Sequence, residues 1–306
     1  MKYVFYYIVL ISVALLLLQG CAEPRGAEPQ DSPALQAHTH TQRVALFERS
    51  DRGVFLPTRI TIVLYDEETI ATEGILEWLT TAAEVSRKWY PIIDKYLESE
   101  GHIPSGEFTI RAQSTGPIGW ASGTTMGYNI SWIAPGQRGE ADWGMVAHEV
   151  VHFIQGYRRG PGTGVPFWIM EGIADFVRHA LFEPEVPMRP VNPDNPERPV
   201  SYTQAYQISA GFLMWIADRY DLDIVPRLNV HGRHRTYSDE VFVTYTGYTH
   251  TELWARYVET VLRPLHAADR RMVPAEMFPN LMRHLQEFKA YVATLPVEPR
   301  PEPDTE

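Results

Sequence analysis

Cysteine is almost absent from this chain of 306 residues, in which Cys21 is the only one. A disulfide within one chain is therefore excluded. Cations are also scarce, with 27 Lys and Arg against 38 Asp and Glu and a formal net charge of −11. Because nucleic-acid binders usually present a basic face, we expect no nucleic-acid partner. With 44% hydrophobic and 21% charged residues, wholesale disorder is excluded too.

Long apolar runs are lacking except at the start, where residues 4–18 follow Lys2. A positive residue and an apolar run of about 15 residues match a secretory signal and are short for a membrane span. The segment Leu-Gln-Gly before Cys21 resembles a bacterial lipobox, which predicts a lipoprotein signal peptide at 1–20 and lipidation of Cys21. An uncleaved N-terminal anchor is the alternative. We expect a cell-envelope protein, lipid-anchored to a bacterial membrane and facing the periplasm or the exterior.

Composition divides the rest of the chain. Residues 21–42 are rich in Pro, Ala, Glu and Gln and lack hydrophobic periodicity, which is typical of a flexible tether. The Pro- and Glu-rich end, residues 294–306, predicts a disordered tail. Since internal repeats are lacking, one folded unit is expected over residues 43–293.

Strand patterns come early in this unit and helical patterns late, which predicts an α+β fold. We expect a small mixed or antiparallel sheet with helices, then a central helix and a mostly helical C-terminal part. The predicted strands are 59–65, 108–111 and 128–133. The predicted helices include 73–99, 203–220, 238–246 and 250–263. Ser238 and Thr249 have the character of N-caps, and Thr249 with Glu252 forms a capping-box pattern.

The segment from Val146 to Gln155 carries two histidines four residues apart, His148 and His152. On a helix such residues share one face, and two imidazoles so placed can bind one tetrahedral Zn²⁺. Glu149 would lie beside the open coordination position, where it could take a proton from metal-bound water and pass it to a leaving amine. The flanking residues are apolar, so the helix is expected to be buried, and its polar side chains need partners that a metal would supply.

A third ligand is expected on the next helical segment. Glu171 lies nineteen positions after His152, and Asp175 follows one turn later on the same face. Asp175 could accept the free ring N–H of a ligating histidine, which would fix its tautomer. Pairing of Asp175 with Arg178 is the alternative.

Together these motifs resemble the gluzincin metallopeptidases, of which thermolysin is a member, and more closely the basic secretory protein family of plant and bacterial peptidases. The resemblance spans about residues 55–265. It rests on residues 148–155, 171–178, Tyr206 with 210–213, 237–242 and 252–254.

The resemblance implies a zincin-like fold with one Zn²⁺ per chain, His148, His152 and Glu171 as ligands, and Glu149 as the catalytic base. One departure is the bulky run 166–170 before Glu171, where the family often has small residues. This run could reshape the substrate pocket without touching the ligands.

Other residues leave alternatives open. Tyr206 matches a tyrosine of the family pattern and could stabilise an oxyanion, or could be an aromatic core residue. His231 and His234 could take that role or bind a second metal, although a loop pair without a third ligand is more often surface. The predicted strand 128–133 could hold a substrate by main-chain pairing, as similar zincins do with an edge strand.

We therefore expect an extracytoplasmic zinc-dependent metallopeptidase that acts on a peptide or protein and contacts the membrane only through its lipid. A non-catalytic zinc-binding lipoprotein is one alternative, although such a protein would have no need of Glu149. A zinc hydrolase acting on a non-peptide amide of the cell wall is another. The physiological substrate and the oligomeric state cannot be read from these patterns.

Overall fold

The computed structural model describes residues 49–157, 165–188, 200–270 and 273–300. The predicted signal peptide, Cys21 and the tether at 21–42 lie outside the described residues. Within the described part of the chain, no helix is both long and apolar enough to cross a membrane.

Four strands form one small sheet near the start of the folded unit. They are β1 (Arg59–Leu64), β2 (Glu107–Gln113), β3 (Gly119–Ser122) and β4 (Thr125–Asn129), and their order in the sheet is β1-β2-β4-β3. β1 pairs parallel with β2 and β2 parallel with β4, whereas β3 is antiparallel to β4. The sheet is therefore mixed, as the α+β prediction allowed, and β3 forms one edge.

Two helices connect β1 to its parallel neighbour β2. They are α1 (Glu67–Ala71) and α2 (Ile75–Tyr96), and α2 corresponds to the helix predicted over 73–99. Its apolar side chains at helical spacing, among them Ile75, Leu79 and Ala82, are fully buried. Burial of this stripe against the sheet and the central helix explains why the segment is helical.

The predicted strand 128–133 is wrong in its second half. β4 ends at Asn129, and residues Ile130–Ile133 form the short helix α3. The side chain of Asn129 accepts the N–H of Ser131 at 2.9 Å and so caps this helix. β4 also has neighbours on both sides, so the edge strand is β3 and not this segment.

The remainder of the described chain is helical. After α3 come α4 (Trp143–Gln155), α5 (Phe167–Phe176), α6 (Tyr206–Arg219), α7 (Ile224–His234), α8 (Glu240–Thr246), α9 (His250–Tyr257), α10 (Arg263–Ala267) and α11 (Pro279–Val292). α5 continues as a π-helical turn over Val177–Phe182, and a second such turn, Val258–Leu262, joins α9 to α10.

The late helices agree with most of the sequence predictions. α6, α8 and α9 with its continuation lie within or close to the predicted ranges, and Thr249 caps α9 in a capping box with Glu252. Ser238 is not an N-cap, because α8 begins one residue later with Asp239 in that position.

α4 is the central helix of the fold. All of its residues from Gly144 to Gln155 are buried except His152, which is half-buried. The side chain of Asp142 accepts the N–H of Met145 at the start, and Gly156 ends the helix in the left-handed region at φ 58°. A helix that is apolar on nearly every side is typical of a fully enclosed position.

α5 and α6 pack at unusually close range. A Cβ at Gly172 of α5 would lie 2.8 Å from the Cβ of Ser209 on α6. Only a glycine permits this approach, and it brings the starts of α5 and α6 to the same side of α4.

The described part of the predicted tail makes specific contacts with the domain. Val54 donates its N–H to the carbonyl of Pro296 at 2.9 Å and accepts the N–H of Glu298 at 3.0 Å. Arg300 donates to the Tyr90 hydroxyl at 3.0 Å. These contacts fall within the first part of the tail predicted over 294–306, where the extended backbone that proline favours can pair with another extended segment. Residues 301–306 lie outside the described part.

A candidate metal centre beside an edge strand

Three side-chain atoms from two neighbouring helices converge at one point. Nε2 of His148 and Nε2 of His152, both on α4, lie 3.0 Å apart, and each lies 3.2 Å from Oε2 of Glu171 on α5. These three residues form a group of side chains able to hold one metal ion. A tetrahedral ion with ligands at about 2.0–2.1 Å holds its ligand atoms about 3.3 Å apart, so the observed triangle has the right size.

The partners on the far side of each imidazole fix its tautomer. Nδ1 of His148 lies 2.7 Å from Oδ1 of Asp175, which as a carboxylate can only accept. Nδ1 of His152 lies 2.9 Å from Oε1 of Gln155, whose amide nitrogen already donates to the carbonyl of Met170. Both Nδ1 atoms therefore carry the proton and donate it.

It follows that both Nε2 atoms present lone pairs towards the Glu171 carboxylate. While both imidazoles are neutral, three acceptors face one another, which is unfavourable unless a proton or a metal ion lies between them. The donor set of two neutral imidazoles and one carboxylate thus fits a bound metal ion.

The pKa shifts of the site residues also indicate that the site favours a positive charge. Burial alone would lower the pKa of His148, but the charge and hydrogen bond of Asp175 and the hydrogen bond of Glu171 outweigh it and raise the pKa to about 10. Burial acts to raise the pKa of Glu171, yet hydrogen bonds from the two imidazoles lower it to about 2. In the metal-free chain a proton takes the place of a metal ion.

Glu149 follows the first histidine and points to the edge strand instead of into the triangle. It is only 5% exposed, and its Oε2 has no hydrogen-bond partner among the described residues. A Cβ at Gly119, on β3, would lie 2.8 Å from Oε1 of Glu149. Burial raises the pKa of Glu149, and the nearby histidines oppose this only in part. A buried carboxylate with an oxygen that lacks a hydrogen-bond partner and with a raised pKa has the properties of a general base or acid.

Tyr206 lies at the site and not in the core. Its side chain is 49% exposed, and its ring stacks on His148 with centroids 6.2 Å apart and planes inclined by 18°. The ring of Phe167 meets it edge-on at 6.0 Å. Burial and then the charge of Glu171 raise the pKa of the Tyr206 hydroxyl, so it remains protonated and able to donate a hydrogen bond.

Arg178 pairs elsewhere than with Asp175. Its Nη2 donates to Asp142 at 2.7 Å and its Nε to Glu183 at 2.6 Å, whereas Asp175 contacts His148. The predicted alternative of an Asp175–Arg178 pair is therefore wrong. Because Asp142 also caps α4, Arg178 connects the start of α4 to the π-helical turn after α5.

A cleft of about 1400 Å³ opens over these residues. One wall is the edge strand β3 with the preceding residues 117 and 118, the floor is α4, and the opposite wall is formed by Met170, Glu171 and the start of α6. The cleft is large enough to admit a segment of polypeptide.

The histidines His231 and His234 do not join this cleft. They lie on α7, not on a loop, and His231 contacts the hydroxyls of Thr236 and Tyr245. Arg233, in the same segment, donates through its guanidinium to the backbone carbonyls of Ile154 and Gln155 and so supports the end of α4.

Two residues at the centre were not singled out from the sequence. Gln155 orients His152, and its position three residues after that histidine on the same helix was an available signal. Gly119 makes room for Glu149, and no local pattern marks it. Cys21, the predicted lipidation site, lies outside the described residues.

Comparison with known proteins gives one match. The model of the BSP family, described as "Peptidase of plants and bacteria", matches residues 69–257, which is more than half of the chain. The matched range includes β2, β3 and β4 of the sheet and the helices from α2 to α9, and β1 lies before it. No curated protein and no solved structure matches the chain.

Proposed function

The chain belongs to the BSP family of peptidases of plants and bacteria, and on this basis we propose that it is a zinc metallopeptidase that hydrolyses peptide bonds of a peptide or protein. The single observation that carries this proposal is the convergence of Nε2 of His148, Nε2 of His152 and Oε2 of Glu171, at separations of 3.0–3.2 Å.

The donor set supports zinc over other common ions. Two imidazole nitrogens and one carboxylate oxygen, with one side open to a cleft, are the ligands of a catalytic zinc site. Mg²⁺ and Ca²⁺ prefer oxygen ligands throughout, which two histidines do not offer. One ion per chain would occupy the site, and Asp175 and Gln155 would orient the two imidazoles.

A zinc ion bound here would supply Lewis acidity, which polarises the substrate carbonyl and acidifies the attacking water. Glu149, which lines the cleft, would accept a proton from that water and deliver it to the nitrogen of the leaving amine. Its enclosed position beside Gly119 supports this role, because burial keeps the carboxylate ready to take up a proton.

Substrate binding would use the edge of the sheet. β3 is an edge strand of the described sheet and its residues line the cleft, so an extended peptide would lie along it. This assignment replaces the segment 128–133 expected from the sequence, since β4 already has neighbours on both sides.

Tyr206 would stabilise the oxyanion. Its ring lies on the face of His148, its side chain is half-exposed in the cleft, and its hydroxyl remains protonated. A donor aimed at the developing negative charge typically contributes on the order of a hundredfold in kcat.

The N-terminal sequence supports a place in the cell envelope. Cleavage after residue 20 and lipidation of Cys21 would anchor the enzyme to a bacterial membrane, with the catalytic unit on the periplasmic or exterior side. Membrane contact would then run through the lipid and the 21–42 tether. The acidic balance of the chain argues against a nucleic-acid partner.

Metal content and proteolysis test the proposal together. The purified wild type should contain one zinc per chain and release peptides from denatured casein, and a chelator should stop the release. Glu149→Gln should retain zinc and lose nearly all turnover, because it keeps the shape of the side chain and removes its basicity. His148→Ala should lose the zinc.

Each alternative function expected from the sequence predicts a different result in these assays. A zinc-loaded wild type that cleaves no casein and no cell-wall amide would indicate a non-catalytic zinc protein. Cleavage of peptidoglycan fragments without casein cleavage would indicate an amidase. Full casein turnover by Glu149→Gln would contradict the proposed role of this carboxylate.

A further inference from the structure

The chain enters α6 through two consecutive residues with positive φ. Ala205 has φ 63° and ψ −168°, and Tyr206 has φ 53°. The conformation of Ala205 lies in a region that only glycine occupies readily, because a Cβ is crowded there. Neither residue is glycine, so the backbone stores strain at the point where Tyr206 enters the cleft.

The structure on the N-terminal side of this turn is firmly held. The ring of Tyr202 packs edge-on against Trp168 at 4.8 Å and against Trp254 at 5.6 Å. Its carbonyl accepts the N–H of Ala205 at 3.3 Å and the hydroxyl of Ser209 at 2.5 Å. These contacts fix where the chain must be when it reaches Ala205.

The structure on the C-terminal side is fixed as well. α6 lies against α5 at the close approach between Gly172 and Ser209, so its first turn cannot shift along α5. Ala205 itself is only 2% exposed. With both flanks held, the strained conformation is what turns the Tyr206 ring onto the face of His148.

We propose that Ala205 is a positioning residue: its backbone conformation, imposed by the two held flanks, places the ring of Tyr206 against His148 before a substrate arrives. This placement removes freedom that the tyrosine would otherwise lose on reaching the transition state. The inference rests on the proposed function for its kinetic consequence, but the position of the ring can be measured without any activity.

Ala205→Gly is the decisive substitution, since it removes only one methyl group, relieves the strain and opens a wider range of backbone conformations at the residue before Tyr206. We expect the melting temperature not to fall and the zinc content to remain one per chain. KM should change by less than about twofold while kcat falls on the order of tenfold, since a small misplacement of a positioned group lowers the rate. Arg235→Gly is the matched control: Arg235 has φ 57° at the end of α7, away from the cleft, and its replacement should leave kcat unchanged.

Two further measurements separate positioning from a general effect. Because Ala205 acts through Tyr206, the double variant Ala205→Gly/Tyr206→Phe should be no slower than Tyr206→Phe alone. In ¹³C-tyrosine NMR, the Tyr206 ring signal, assigned by its loss in Tyr206→Phe, should move towards the free-tyrosine position in Ala205→Gly. This readout is independent of catalysis.

A kcat of Ala205→Gly within twofold of wild type, or an additive loss in the double variant, would overturn the inference. An unmoved Tyr206 signal would do so even if the wild type proved to have no peptidase activity, an outcome that would count separately against the proposed function.

Discussion

Replacing Asp175 by Asn changes one proton-accepting group and almost no volume. Asp175 accepts the Nδ1 proton of His148 at 2.7 Å and is 5% exposed, so its charge is poorly screened. The asparagine can still accept through its carbonyl oxygen, but it no longer carries the negative charge that increases the basicity of Nε2 on the opposite side of the ring.

The expected loss can be stated from this contact. Removing a partner of a metal-ligating histidine lowers metal affinity by about 10- to 100-fold, which is roughly 1.4–2.8 kcal/mol. At saturating zinc the free energy of unfolding of the loaded protein should fall by a similar amount, because binding to the native state stabilises it in proportion to the logarithm of affinity. In the metal-free chain Asp175 pairs with the protonated His148 instead, so its neutralisation should lower the free energy of unfolding there as well, and the zinc affinity is the measurement that isolates its effect on the ligand.

Zinc affinity should be measured by competition with a chromophoric chelator, and thermal unfolding at several free zinc concentrations. Asp218→Asn is a matched control, since Asp218 is a buried aspartate on α6 that accepts the N–H of Asn280 and Leu281 far from the ligands. It should lower stability with and without zinc and leave the zinc affinity unchanged. Wild-type zinc affinity in Asp175→Asn, or an equal loss in Asp218→Asn, would show that Asp175 does not strengthen His148 as a ligand.

Three other substitutions have defined outcomes. Gly119→Ala should reduce kcat on casein about tenfold or more at full zinc content, because its Cβ would lie 2.8 Å from Oε1 of Glu149. Gln155→Leu should weaken zinc binding about tenfold in chelator competition, since His152 loses its acceptor. Burial lowers the pKa of His102 to about 4. Between pH 4 and about 6.5 the unfolded chain binds the extra proton, so the free energy of unfolding should fall on acidification through this window, by about 1–3 kcal/mol for a partly exposed ring. Urea titrations of His102→Gln should lack this loss.

The part of the site that lies on two helices could be predicted from the sequence. Residues four apart on a helix share a face whatever the rest of the fold does, so the spacing of His148 and His152 and that of Glu171 and Asp175 already described their relative directions. The long amphipathic helix and the Thr249 capping box are local in the same sense. The BSP family match agrees with the resemblance that these motifs carry.

What could not be predicted depends on contacts between distant segments. The segment 128–133 is rich in β-branched and aromatic residues, but pairing partners and the cap at Asn129 decide where the strand ends. Whether a strand lies at the edge of a sheet is not encoded in its own residues. The pairing of Val54 with residues near Val297 is likewise invisible in a composition rich in proline and glutamate.

The least predictable contribution is that of Arg233. The segment His-Gly-Arg-His at 231–234 suggests a role for its histidines, yet its arginine donates to the carbonyls of Ile154 at 2.6 Å and Gln155 at 3.1 Å. The last carbonyls of a helix have no partner within it, and a cation there also opposes the negative end of the helix dipole. Asp142 and Arg178 hold the other end of α4. Burying the carboxylate of Glu149 without a hydrogen-bond partner for its Oε2 lowers the stability of the fold. Arg178 at one end of α4 and Arg233 at the other, both from distant parts of the chain, stabilise the helix that carries it.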